Sequence, residues 1–179
     1  MRHLEIEYKQ MLTKEQFHAL LKHFPHAQLI QQNNRYFQYT DKSIKIATRI
    51  RTINEVSELT FKQQNTEGVI EHHFSMNSKD EDIFKRSDVL DFLNSHHLTS
   101  SFLPIGSLLT YRYLVIEKNQ EICMDENHYL EQLDYELEVE TLIDPKKAQE
   151  RFLELLLEFS IEKSESTSKF TRFIKQKGL

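Results

Sequence analysis

The sequence predicts an α+β protein of eight antiparallel strands whose apolar face meets helices and whose other face is ionic. Three observations carry that reading. Apolar and polar residues alternate strictly in most of eight segments, the period of a strand with one buried face. Short turn sequences such as Asn54-Glu55 and Lys118-Asn119-Gln120 join several of these segments, as hairpins require. Between and after them lie stretches with apolar residues at helical spacing.

The first strand is His3-Leu4-Glu5-Ile6-Glu7-Tyr8-Lys9, with His3, Glu5, Glu7 and Lys9 on one side and Leu4, Ile6 and Tyr8 on the other. Alternate residues of a strand stand about 7 Å apart, so Glu5 and Glu7 can share one hydrated divalent cation or two adjacent ones. An ordinary solvated strand face has the same pattern. Thr13 followed by Gln16 is a capping box, and Phe17, Leu20, Leu21 and Phe24 form the apolar stripe of a helix that ends before Pro25. Residues 27–40 form a longer, less regular strand. The third strand, Ile44 to Ile53, carries Lys45, Ala47, Arg49 and Arg51 on one face, and the fourth, Val56–Gln64, carries Glu58, Thr60 and Lys62. A fifth at 69–76 places Glu71, His73 and Ser75 opposite Ile70, His72, Phe74 and Met76. Residues 78–97 are read as helix in two pieces, and Thr99–Gly106 as a connector. Strand six, Leu108–Glu117, carries Thr110 and Arg112 on one face; strand seven carries Glu121, Cys123 and Asp125. Strand eight, Asp134 to Glu140, sets four acids on one face against Tyr135, Leu137 and Val139. A helix starts at Asp144-Pro145 and runs through Phe152, Leu155, Leu156 and Phe159. The tail is a Ser-rich turn and a short helix opened by Lys169, with Phe170, Phe173 and Ile174 on one side.

At 179 residues the chain fits one domain, 1–179. A net charge of −5 argues against a nucleic-acid or anionic-membrane binder, since those need a basic surface. One cysteine, Cys123, allows neither an intrachain disulfide nor a thiolate metal cluster. With no leader-like N-terminus and no membrane-length apolar run, a cytoplasmic protein is expected. Three isolated glycines make no phosphate loop, so any phosphate must be held by side chains. The nine histidines do not cluster at zinc spacing.

Two architectures satisfy this pattern: an open sheet with a solvated ionic face, or a barrel whose ionic face lines a tunnel. Charge segregation bears on the choice. A face selected for solubility mixes signs, whereas here acids gather on strands one and eight, and bases on strands three and four with Arg112 on six. That division suits a site binding polyanion and divalent metal together, with Arg and Lys on phosphate and carboxylates on a hard cation.

With both acidic strands placed, the chain resembles the CYTH superfamily, or triphosphate tunnel metalloenzymes, in its small single-domain bacterial branch. The N-terminal E-x-E-x-K matches Glu5, Glu7 and Lys9; the R-x-R strand, Arg49 and Arg51; the following lysine, Lys62. The later lone arginine matches Arg112, the strand-seven aspartate Asp125, the penultimate E-x-E lies within Glu136, Glu138 and Glu140, and the C-terminal lysine is Lys169. The resemblance implies an eight-stranded antiparallel barrel forming a tunnel, with helices outside, that hydrolyses or rearranges triphosphates with Mg²⁺ or Mn²⁺. Glu5, Glu7, Glu136 and Glu138 are expected to hold metal, with Glu140 in reserve. Lys9, Arg49, Arg51, Lys62, Arg112 and Lys169 are expected to grip phosphate. Catalytic roles fall to Glu5, Glu7, Lys9 and Asp125, the last orienting a basic side chain or a metal-bound water. Hydrolysis of inorganic triphosphate or a small organic triphosphate is the leading function. A class IV-type adenylate cyclase and a non-catalytic polyphosphate or nucleotide binder are the alternatives. The expected partner is a triphosphate-containing small molecule, with the oligomeric state, monomer or homodimer, left open.

Overall fold

A computed structural model describes residues 2–4, 6–41, 43–44, 46–65, 68–76, 82–141 and 143–179. In chain order these form β1 (Arg2–Leu4), β2 (Ile6–Leu12), α1 (Lys14–His23), β3 (Gln28–Tyr39), β4 (Ala47–Ile53), β5 (Val56–Asn65) and β6 (Gly68–Met76). A 3-10 turn at Ile83–Lys85 precedes α2 (Ser87–Ser95), β7 (Phe102–Glu117), β8 (Gln120–Tyr129), β9 (Gln132–Thr141), α3 (Pro145–Glu158) and α4 (Lys169–Lys177). This is the α+β antiparallel class that alternation predicts. Of the first predicted strand, the described residues before position 5 pair with β6 and those from Ile6 onward pair with β9.

The chain divides into two compact units: residues 1–4 with 33–107, and residues 5–32 with 108–179. In the first, strand order is β1-β6-β5-β4-β3. Its core is aromatic: Phe61 stacks on Phe92 at 5.0 Å, Phe84 on Phe102 at 4.8 Å, and Val89 and Leu93 of α2 are fully buried beside them. Of the helix expected at 78–97, only α2 and the 3-10 turn are helical among the described residues, and 78–81 lie outside these. The expected connector 99–106 is a strand from Phe102 onward. Pro104, which lacks an N–H, and Gly106, at φ 140°, interrupt the β signature there and hide it from alternation.

In the second unit the order is β7-β8-β9-β2. Its apolar face, including Ile122, Met124, Leu137 and Val139, meets Phe17 and Leu20 of α1 and Phe152, Leu155 and Leu156 of α3. Burying each such side chain contributes about 1.5–3 kcal/mol. Helix α1 opens on the predicted capping box, Thr13 accepting from the Gln16 backbone and Gln16 accepting from the Thr13 backbone. Asp144 caps α3 through the Lys147 N–H, with Pro145 in the first turn. Apolar residues being committed to the helices, the polar residues of the same strands are left together on the other face.

Candidate functional site

Register places the ionic side chains of the second unit in rows across its strands. Glu7 lies opposite Glu140, which lies opposite Glu121; Lys9 opposite Glu138, then Cys123; and Glu136 opposite Asp125, then Arg112. Like charges directly opposite repel, so these rows need cations. Lys9 pairs with Glu7 and reaches Glu138 at 3.6 Å. Arg112, nearly buried, forks onto Asp125 with Nε to Oδ1 at 2.9 Å and Nη2 to Oδ2 at 2.7 Å, and also binds Glu138 and, at 3.3 Å, Glu140. The first turn of α4 delivers two more. Lys169 meets Glu136, Asp125 at 2.8 Å and Glu138 at 3.0 Å. Arg172, three residues on and so on the same helix face, meets Glu136 and Asp134, each at 2.8 Å. Ser168 caps this helix by accepting from the Thr171 N–H, and fully buried Phe173 anchors it. Asp134 also accepts from the Tyr129 hydroxyl at 2.7 Å and from Asn127, whose own side-chain oxygen accepts from Thr110.

Among the described residues the cluster thus sets six carboxylates, Glu7, Asp125, Asp134, Glu136, Glu138 and Glu140, against four cations, Lys9, Arg112, Lys169 and Arg172. Two groups of carboxylates bring oxygens within 4.8 Å of one another: Glu7, Glu138 and Glu140, and Asp125, Glu136 and Glu138. All-oxygen donor sets of this kind fit a hard divalent cation. The second group already holds the Lys169 ammonium; the first is the more solvent-accessible. Burial pushes the Glu138 carboxyl upward, and Glu7 and Asp125 add to it against Arg112 and Lys9. Burial acts the same way on Asp125, but Lys169 and Arg112 overcome it and hold that carboxyl well below the usual range. Burial also brings Lys169 down to about 7, against the pull of Asp125. Cys123, fully buried, has its thiol pushed far up by burial, which makes it filler rather than a nucleophile.

In the first unit Arg49, Arg51 and Lys62 share the face that alternation predicts. Arg49 lies opposite Thr60, and Arg51 opposite Glu58, while Lys62 pairs with Glu71. Arg51 donates through Nε to the Asn34 side chain at 2.9 Å. The Arg49 Nε is buried with no hydrogen-bond partner among the described residues, a donor suited to an anion. His73 sits between Glu58, 2.9 Å from Nδ1, and Glu71, 3.1 Å from Nε2. Only the imidazolium donates from both nitrogens, and the bond to Glu71 is the main cause that raises its pKa.

The structure therefore brings Glu7, Lys9, Arg112, Asp125, Glu136, Glu138, Glu140 and Lys169 together in one unit, and Arg49, Arg51 and Lys62 in the other. Glu5 lies outside the described residues. Glu140, expected only in reserve, groups with Glu7 and Glu138, whereas Glu136 lies with Asp125 beneath Lys169. Sequence reasoning missed Arg172 and the Thr110-Asn127-Asp134-Tyr129 chain. The i, i+3 spacing of Arg172 from Lys169 was the available signal. No described helix is long and apolar enough to cross a membrane.

Comparison with known proteins follows the same outline. The family model described as CYTH domain matches residues 3–174. The chain is 32% identical over 187 residues to a Bacillus subtilis protein named "Putative triphosphatase YjbK", covering 97% of this chain and 96% of that one. A solved structure from Bacillus halodurans, described as a "putative adenylate cyclase", is 28% identical with a TM-score of 0.85, covering 96% of this chain and 98% of that one. A Hippeastrum protein, described as a "putative adenylyl cyclase" with a dominant triphosphatase activity, is 20% identical with a TM-score of 0.74. It covers 98% of this chain and 96% of that one, and its likeness is one of fold alone.

Proposed function

The chain belongs to the CYTH domain family, and from that membership we propose that it hydrolyses inorganic triphosphate or a small organic triphosphate with the help of Mg²⁺ or Mn²⁺. The observation that carries the reading is the Glu7, Glu138 and Glu140 group, with oxygens within 4.8 Å of one another beside Lys9 and Arg112. These three carboxylates are the residues that would hold the ion. When bound, it supplies charge neutralisation on phosphate oxygens and activation of the attacking water.

The chain's own groups do the positioning. Lys9 supplies an ammonium at the edge of the carboxylate group, placed to bind a phosphate oxygen. Arg49, Arg51 and Lys62 of the first unit offer three further cations for phosphate, the planar guanidinium forks being suited to two oxygens at once. Arg112 is committed to Asp125 and Glu138 on one edge, so its role is to fix those carboxylates, with phosphate as a secondary contact. Asp125 orients Arg112 and Lys169, the basic-side-chain role the resemblance allows it. Phosphoryl transfer asks little covalent chemistry of a protein, and positioned charge is most of what catalysis requires.

The test is phosphate release from tripolyphosphate, with ATP and thiamine triphosphate in parallel, under Mg²⁺ and under Mn²⁺. Metal-dependent release is expected, with a loss of 10²-fold or more in Glu7→Gln, on the order of one preorganised electrostatic contact. Pyrophosphate with a cyclic nucleotide as the products of ATP would replace the hydrolase by the cyclase that the Bacillus halodurans relative is described as. Tight triphosphate binding without turnover would leave a binding module.

A further inference from the structure

The second unit carries a cavity that the phosphate chemistry does not use. It has a volume of about 260 Å³ and lies at the end of β2, β7, β8 and β9, walled by Ile6, Ile116 and Ile143 and bordered by Asn119, Glu121 and Glu140. That volume has room for a small ring system, being just below the roughly 300 Å³ at which pockets for whole drug-sized ligands begin. Glu140 belongs both to this lining and to the Glu7, Glu138 and Glu140 group. Register makes the connection continuous: Ile116 lies opposite Glu121, Glu121 opposite Glu140, and Glu140 opposite Glu7.

Scattered exposed isoleucines are ordinary. Here Ile116 and Ile143 are 70% and 71% exposed and converge with Ile6 on one concavity beside the carboxylates. Among the described residues the charged lining is acidic, Glu121 and Glu140, with no Lys or Arg in it. Such a wall repels a further phosphate and accepts hydrogen bonds from N–H donors or pairs with a cation. The Asn119 side-chain amide, on the tight turn between β7 and β8, adds both a donor and an acceptor at the rim.

We propose that this cavity receives the organic substituent of the substrate, an apolar-bodied group bearing N–H donors or a positive charge, so that the substrate is a triphosphate ester and not bare tripolyphosphate. The inference rests on the hydrolase reading for the position of the triphosphate and adds to it the part of the molecule beyond the phosphates.

The experiment compares wild type with Ile116→Ser/Ile143→Ser on tripolyphosphate, ATP and thiamine triphosphate. Wild type is expected to have the higher kcat/KM on at least one ester. The double variant is expected to lose about tenfold on that ester, the scale of discrimination a small apolar pocket gives, and to stay within about twofold on tripolyphosphate. Calorimetric titration of the same three ligands in Ca²⁺ reads binding without turnover. A preference for the ester is expected there in wild type, and its disappearance in the double variant. Equal losses on ester and tripolyphosphate, no loss on either ester, or a wild-type preference for tripolyphosphate in both measurements overturns the assignment. Absence of turnover on every substrate defeats the hydrolase reading alone, and the calorimetry then decides the cavity; no ester binding in it overturns the cavity as well.

Discussion

Lys169 is lodged against three carboxylates, Asp125, Glu136 and Glu138, and its ammonium helps them to coexist. Removing one partner of a buried ionic network costs about 3–5 kcal/mol, because the other charges stay behind. Lys169→Met is therefore expected to lower Tm in metal-free buffer, with Mg²⁺ restoring part of the loss by occupying the vacated carboxylates; thermal scans with and without Mg²⁺ measure both. Asp125 allows a test with a definite sign. Its folded pKa is held below the ordinary 3.8, so its contribution is present above pH 3.8 and is lost as pH falls through the folded value. Asp125→Asn is expected to destabilise at pH 7, with the gap to wild type narrowing in acid, read from urea midpoints across that range. His73 has the opposite sign. Its folded pKa is raised above 6.5, so its contribution is complete below pH 6.5 and is lost as pH rises through the raised value. In His73→Gln that alkaline decline should be absent from the stability profile.

Among the elements, α4 matters most to the site, because one nine-residue helix supplies both Lys169 and Arg172. Its N-terminus depends on the Ser168 side chain, and losing such a cap costs about 0.5–2 kcal/mol. Ser168→Ala is expected to speed amide exchange in the first turn of α4 while leaving β8 and β9 protected. Hydrogen exchange followed by mass spectrometry resolves the two. Most of the strands were legible from the sequence, the start of β7 at Phe102 excepted. Alternation alone put Glu7 with Lys9, Arg49 with Arg51, and Glu136 with Glu138 and Glu140, because period two fixes a face whatever the partner strand. Alternation could not say which neighbour each face would meet. Glu140 joining Glu7, and Asp125 joining Glu136, follow from the pairing of β2 and β8 with β9. The docking of α4 was less visible still, since helical spacing shows an apolar stripe but not the surface that receives it. At Pro104 and Gly106 local chemistry masked a strand that tertiary pairing nevertheless forms.

At the scale of the whole molecule, each unit has its own core and its own ionic face, and the family model spans residues of both. The excess of carboxylates in the second unit predicts a response of the entire fold to divalent cations. Ligand that binds only the native state stabilises it by about 2.7 kcal/mol at a hundredfold excess over Kd, so Mg²⁺ or Mn²⁺ is expected to raise Tm in wild type. Glu138→Gln, which removes a carboxylate common to both groups, should abolish most of that rise. The affinity should also increase with pH near neutrality. Lys169 sheds its charge near 7, which leaves the cluster more negative.

The order of synthesis gives the position of α4 a further consequence. Every carboxylate of the cluster precedes Lys169 and Arg172 in the order of translation, so a chain cut short of residue 169 holds all of these acids without the two cations that α4 brings to them. In such a chain Lys9, Arg112 and dissolved cations remain, among the described residues of the cluster, to stabilise the acids, and the loss of four basic residues and no acidic one takes the formal net charge from −5 to −9.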